Sequence, residues 1–274
     1  MNTYNEHNYE TYAFGCIPSK KDLRDYRVDK QIAYSSELPK EYKVPHSPIK
    51  NQANVCSCVA HAVAEVLEAM NKNKEKYSTN WIYGYRPLGY SQSKGMYPRQ
   101  AIKTTIDLGY VLYDDFSGNT EMKEVKNLVD NSLSYLKEKA KSRKMISYAY
   151  LKNRLEIKEA IYLTGNPVVI CVHCCDPFIT DANEVLITSS KRSGYHAMVA
   201  YGWNEKGLLI QNSWGENWGD SGTCILPDDY PLTEAWVIAD RESSWFISKP
   251  RGIWLRRLVQ EIVNFLVEIF TKNK

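Results

Sequence analysis

Four residues carry chemistry in a spacing that calls for a common site. Cys58 opens the stretch from Val59 to Met70, which is rich in the best helix formers, Ala, Leu and Glu. Val59, Ala62, Val63, Val66, Leu67 and Met70 recur every three or four residues, so the spacing predicts a helix with one apolar face. A thiol at its start meets the positive end of the macrodipole and the unpaired N–H groups of the first turn. Both favour thiolate, which predicts a lowered pKa and a usable nucleophile. Gln52, six residues upstream, carries an amide that with the Cys58 N–H would bind a developing oxyanion. His196 leads into the apolar strand Ala197 to Trp203, and a strand end is the rigid mount that acid–base geometry needs. Asn212 would accept the second ring N–H and fix the tautomer without adding charge, with Trp214 and Trp218 shielding that bond from water. Taken alone, Cys58 also reads as what most free cysteines are, a small buried hydrophobe.

The elements around these residues are those of an ordinary globular chain. With 274 residues, 43% hydrophobic and 24% charged, it has room for one large domain or two lobes. A net charge of +3 argues against a general nucleic-acid binder. Cys171, His173, Cys174 and Cys175 tempt toward a metal. Adjacent cysteines are poor tetrahedral chelators, and on a strand Cys174 faces away from Cys171 and His173. No metal and no cofactor is expected. Seven cysteines is an odd number, and Met1 to Glu10 has no apolar secretory core. Most thiols are therefore expected to be reduced and the location cytoplasmic.

Residues 1–37 form a polar arm with little core of its own, able to pack on the body through Phe14, Ile17, Leu23 and Tyr26. A proline-punctuated extended segment, 38–49, follows. Helices are expected at 101–108, ended by Gly109, at 120–141, and at 157–163, closed by Gly165, with 81–98 loop-like. Strands are expected at 167–173, 196–201 and 207–211, with edge strands at 224–226 and 235–238. Helices followed by strands imply α+β. At 253–270 an apolar stripe faces Arg256, Arg257, Gln260, Glu261, Asn264 and Glu268, an amphipathic helix too interrupted by charge to span a bilayer. Packing on the body or on a second copy is the plain reading, with a membrane surface as the sharper alternative.

Together these segments resemble the papain family of cysteine peptidases. The likeness covers about 38–237: the Gln52…Cys58 helix start, Gly95-Met96-Tyr97-Pro98, Asn166-Pro167-Val168, the His196 strand and Asn212-Ser213-Trp214-Gly215. His196 and Asn212 follow Cys58 by roughly the 130–150 residues known for this family. The resemblance implies a two-lobed α+β fold: a helical lobe at about 52–145, an antiparallel barrel-like β lobe at about 146–250, and the site in the cleft between them. The C-terminal helix, 251–274, would lie outside it. It implies Cys58 as nucleophile, His196 as base and then acid, Asn212 as orienter and Gln52 as oxyanion donor. Met96 falls where backbone pairs with substrate. Tyr97, Pro98, Cys171, Gly194 and Ala197 line the pocket for the second residue before the cut, expected to take a modest apolar side chain. Trp214 covers the His–Asn bond and Trp218 lines the leaving-group side. The substrate would be a peptide or protein.

The departures are specific. Val55 stands where the family has a disulfide-forming cysteine, and Cys56 where it has a glycine bordering the cleft. Cys56 is thus an internal rival as nucleophile, though the Gln52 spacing and the helix start favour Cys58. His61, one turn along, reads as packing. Gly15-Cys16-Ile17-Pro18 resembles the short N-terminal arms of bacterial relatives, and residues 1–37 are expected to cross and dampen the cleft. A silent binding scaffold and an acyl transferase or amidase on the same lobes are the other readings.

Overall fold

The computed structural model describes residues 13–22, 25, 38–85, 95–117 and 133–239. Its elements are β1 (Tyr42–Lys43), α1 (Cys58–Met70), α2 (Thr79–Gly84), α3 (Pro98–Asp107), α4 (Leu133–Lys141), β2 (Ser147–Leu151), α5 (Arg154–Thr164), β3 (Val168–Cys175), β4 (Arg192–Asn204), β5 (Gly207–Gln211), β6 (Thr223–Leu226) and β7 (Leu232–Ala239). The helix expected at 120–141 is described only from Leu133 on, and the C-terminal amphipathic stretch lies outside the described residues.

The helix ends follow local chemistry. The Asn153 side chain accepts the Glu156 N–H at 3.0 Å while Glu156 accepts the Lys152 N–H at 2.7 Å, which starts α5 three residues before the apolar spacing alone would. Gly165, at φ +65, closes it. α2 replaces part of the loop expected from 81 on. Its Gly84 is a poor helix residue, but Ser78 caps it by accepting the Trp81 N–H, and Asn80 to Gly84 are all buried. Tertiary burial here overrides the breaker.

The seven strands form one antiparallel sheet in the order β2-β7-β3-β4-β5-β6, with β1 also paired to β4. The expected barrel-like closure is replaced by an open sheet. β7, expected at an edge, lies between β2 and β3; the unforeseen strand β2 covers it through the register Ala149↔Val237. Alternate residues divide the sheet between two cores. Val169, Cys171, Ala197, Val199, Trp236 and Ile238 pack with α1 and α3. Val168, Ile170, Val172, Met198, Ala200 and Val237 pack with Ile157, Ala160 and Ile161 of α5.

α1 runs through the first core with every residue from Cys58 to Ala69 buried, so the single apolar face expected of it becomes burial all round. It packs on β4. That contact brings the helix start to the strand that carries His196. Among the described residues no helix is long and apolar enough to cross a membrane.

Candidate active site

Cys58 is the first residue of α1, preceded by Ser57 at the N-cap. Its thiol is engaged by the backbones of Ala197, Gly15 and Val59. Ala197 is the neighbour of His196 on β4, so two segments far apart in sequence converge here. Ala197 packs in the core with α1, and the His196 ring, one residue earlier on β4, lies against Phe14 and Trp214. There its Nε2 donates to Asn212 Oδ1 at 2.7 Å. With Nε2 protonated, Nδ1 carries the lone pair and is left without a hydrogen-bond partner, the tautomer a general base needs.

Aromatic rings seal this bond. The Trp214 ring lies 4.7 Å from the His196 ring, and Trp218 meets Trp214 edge-on at 5.6 Å. Phe178, 5.3 Å from Trp214 and stacked 5.9 Å from Trp218, is a further member of the wall that the sequence did not single out. Gln52 is clamped by the segment carrying Asn212: Ser213 Oγ donates to its Oε1 at 2.7 Å, and its own N–H reaches Ser213 O at 2.8 Å. This aims its Nε2, which donates to Val55 O at 2.8 Å and to Ala13 O at 2.9 Å.

Ala13 opens the described stretch 13–22, which packs against these residues. Phe14 packs 5.9 Å from His196 and 5.8 Å from Trp214. Gly194 faces Phe14 and has no side chain to obstruct it. Met96 donates its N–H to Gly15 O at 2.8 Å and accepts from Ile17 N at 3.0 Å, a parallel pairing around Cys16. A Cβ on Gly15 would fall 2.1 Å from Cys56 O, so only glycine allows this approach. Cys16 is disulfide-bonded to Cys171. Ser19 N–H donates to Glu234 Oε1 at 2.9 Å, and Arg99 holds Lys20 O and Asp25 Oδ2 at 2.6 Å each.

The arm changes the electrostatics. Burial pushes the Cys58 thiol up to about 12 despite the donors around it. Burial likewise lowers His196 to about 4, against the opposing hydrogen bond that it donates to Asn212. The lowered cysteine pKa expected from the helix start is overturned in this arm-filled state. A helix terminus contributes on the order of 1 kcal/mol at most, and desolvation of a fully buried thiolate exceeds that.

Met96, expected to pair with substrate, pairs here with Gly15 and Ile17, while Tyr97 stands at the N-terminal boundary of α3 and Pro98 in its first turn. Cys171 is not an open pocket wall but a bonded one. Glu234 was missed. Its Oε, Cys16 Sγ and Cys171 Sγ lie within 4.8 Å of one another, and the bonded sulfurs offer no thiolate to a metal. The expected apolar pocket therefore has a buried acid beside it. A Glu inside the apolar run from Leu232 to Ala239 was the available signal. Cys56, Cys58, Cys174, Cys175 and Cys224 form no disulfide.

The model of the papain family of cysteine proteases matches residues 37–229. The chain belongs to this family. It is similar to a gut-specific cysteine proteinase of Caenorhabditis elegans, 30% identical over 224 residues that make 70% of this chain and 68% of the worm protein. It is also similar to an uncharacterized peptidase C1-like protein of Acanthamoeba polyphaga mimivirus, 26% identical over 83% of this chain and 86% of the viral one. Its fold is similar to the crystal structure of xylellain, a cysteine protease from Xylella fastidiosa, with a TM-score of 0.69 at 20% identity over 83% of this chain and 96% of that one. The chain is a papain-family cysteine peptidase whose substrates are peptides or proteins.

Proposed function

We propose that Cys58 is the nucleophile, His196 the general base and then acid, Asn212 the residue that orients the ring, and Gln52 the oxyanion donor together with the Cys58 N–H. The observation that carries this reading is the buried His196–Asn212 bond of 2.7 Å under Trp214, on the strand whose next residue, Ala197, holds the Cys58 thiol. With the cleft hydrated, Cys58 passes its proton to His196 Nδ1. The sulfur adds to the scissile carbonyl, and the oxyanion takes up Gln52 Nε2, which now faces Ala13 O, together with the Cys58 N–H. The imidazolium protonates the leaving amine as the C–N bond breaks. Water, deprotonated by His196, then releases the acyl group from sulfur and regenerates the thiol.

Residues 13–22 hold this site shut. Ala13 and Phe14 lie on the leaving-group side, by Gln52 and Trp214, and Cys16 on the acyl side, by Met96 and Cys171. A substrate runs N-terminal on the acyl side, so the arm lies in the opposite sense. That direction supports a blocking role, since an arm laid backwards is poorly placed for attack. Trp218 and Phe178 form the leaving-group wall, and Tyr97, Pro98, Gly194 and Ala197 border the acyl-side pocket with Met96. Five cysteines outside the one disulfide favour a reducing setting, for which the cytoplasm is our proposal. The test is peptidase rate after reduction. Cys58→Ala is expected to abolish turnover and Cys56→Ala to keep it within a few-fold; full activity in Cys58→Ala contradicts the assignment.

A further inference from the structure

Resting on that reading of the site, we propose that the Cys16–Cys171 disulfide is a thiol–disulfide exchange site that a dithiol reductant opens to release the arm and switch the peptidase on. The bond joins positions 155 residues apart. One partner belongs to the segment in the cleft and the other to β3 in the sheet beside it. No other covalent bond among the described residues holds the arm. Its remaining ties are the Arg99–Asp25 ion pair, ring contacts and hydrogen bonds such as Cys16 N–H to Tyr195 O at 3.2 Å, Ile17 N–H to Met96 O and Ser19 N–H to Glu234. Each is worth about 1 kcal/mol net and is replaced by water when the segment lifts.

The bond also sits where it controls the chemistry. Cys16 is one residue from Gly15, whose backbone engages the Cys58 thiol, and three from Ala13, whose carbonyl occupies Gln52. While the disulfide holds, Gly15 cannot move far from Cys58, and Cys58 and His196 stay at 0% exposure. Cys171 is also 0% exposed and Cys16 6%, so exchange begins at Cys16.

The step balances. One thiolate of the dithiol attacks Cys16 Sγ and expels Cys171 as thiolate. The second thiol of the reductant attacks the mixed disulfide and expels Cys16. The reductant leaves as its cyclic disulfide, having given two electrons and two protons. A small-molecule disulfide, such as oxidised dithiothreitol, reverses the step by taking up the two electrons and two protons, and seats the arm again.

The experiment uses the full chain in buffers of fixed reduced-to-oxidised dithiothreitol ratio. Peptidase rate, mass-mapped labelling of Cys58 by a thiol-directed epoxide, and hydrogen exchange at the amides of 15–17 are followed together. Wild-type rate and Cys58 labelling are expected to rise at least tenfold as the mixture becomes reducing, with exchange at 15–17 rising in step. Cys16→Ser is expected to show high rate and labelling at every ratio. The same redox dependence in Cys16→Ser would place the effect on Cys58 itself and overturn the latch. So would a Cys16→Ser as silent as the oxidised wild type. Hydrogen exchange on the wild type alone decides the matter if that variant does not fold, because exchange at 15–17 that ignores reduction contradicts the latch. Arm release on reduction without any peptidase activity would leave the latch standing and sink the catalytic reading instead.

Discussion

α1 is buried at both its cleft end and its inner face, but by different things. Cys58, at the cleft end, is covered by the arm. His61, Glu65 and Glu68, further along, are covered by the body of the protein and are 4%, 1% and 1% exposed. Two histidines make the contrast plain. Burial lowers both His196 and His61 to about 4. His196 leans on an amide oxygen under Trp214, with its other nitrogen buried and without a hydrogen-bond partner; His61 Nδ1 faces Ser57 O at 3.0 Å and Ser57 Oγ at 3.2 Å on its own helix. A shifted pKa therefore does not mark the working residue. On the latch proposal, what distinguishes the Cys58–His196 site is that its desolvation is removable.

The largest test of this contrast exchanges the two histidines' fates. His196→Ala is expected to lower kcat/KM of the reduced enzyme by about 10³-fold or more. His61→Ala is expected to leave kcat within a few-fold while lowering the melting temperature, since it removes only packing and a helix-start contact. Comparable losses of turnover from both would erase the distinction.

Next in size is the close approach of the arm. Gly15→Ala places a Cβ against Cys56 O at 2.1 Å and must lift the segment. In the oxidised protein, where the arm is still seated, it is expected to raise the rate of Cys58 alkylation by about tenfold over wild type. An unchanged rate would mean that the arm does not limit access.

The ring titrations separate removable from permanent burial. In oxidised protein, both His196 and His61 are expected to stay neutral down to about pH 4 by NMR. On reduction, His196 alone should move toward its ordinary value of 6.5. The sign follows. Between pH 6.5 and 4 the open form binds the extra proton, so His196 contributes to arm docking fully above 6.5 and loses that contribution as pH falls. At the acyl-side end, burial holds the Glu234 carboxyl above its usual range, and the charged pair Arg99–Asp25 sits nearby. The observable is therefore the individual ring and not the overall affinity. Parallel shifts of both histidines would contradict the account.

The smallest effect belongs to the inner face. Burial lifts Glu65 to about 8, and neither of its carboxyl oxygens has a hydrogen-bond partner. A raised acid is neutral in the fold, so its cost is absent below pH 4.5 and grows as pH rises toward 8. Glu65→Gln is expected to stabilise by about 2 kcal/mol at pH 8 and by almost nothing at pH 4.5, read from denaturant midpoints, with peptidase rate unaltered. A gain of equal size at both pH values would mean that packing, not ionisation, is responsible.

Much of this was legible in residue order. Cys58, His196, Asn212 and Gln52 could be named because a helix start, an apolar strand and a tryptophan-flanked asparagine are local patterns. Leu112 and Val111, by contrast, sit at a turn whose pairing with Tyr77 and Ser78 no local pattern announces. β1 and β2 were missed because two- and five-residue strands get their identity from the strand they pair with. β7 read as an edge because its coverage by β2 is a long-range fact. Cys16 and Cys171 read as a lone thiol and a pocket wall, since nothing in either neighbourhood announces a partner 155 residues away. Glu234 was hidden by its own strand, where alternation suggests apolar neighbours and says nothing of the arm that its carboxylate meets.

The most direct test of the central claim is active-site titration of the reduced enzyme with a thiol-directed epoxide, followed by peptide mapping. One equivalent on Cys58, with peptidase activity falling in proportion to label, is the predicted result. Label accumulating on Cys56, or activity surviving full modification of Cys58, would contradict it.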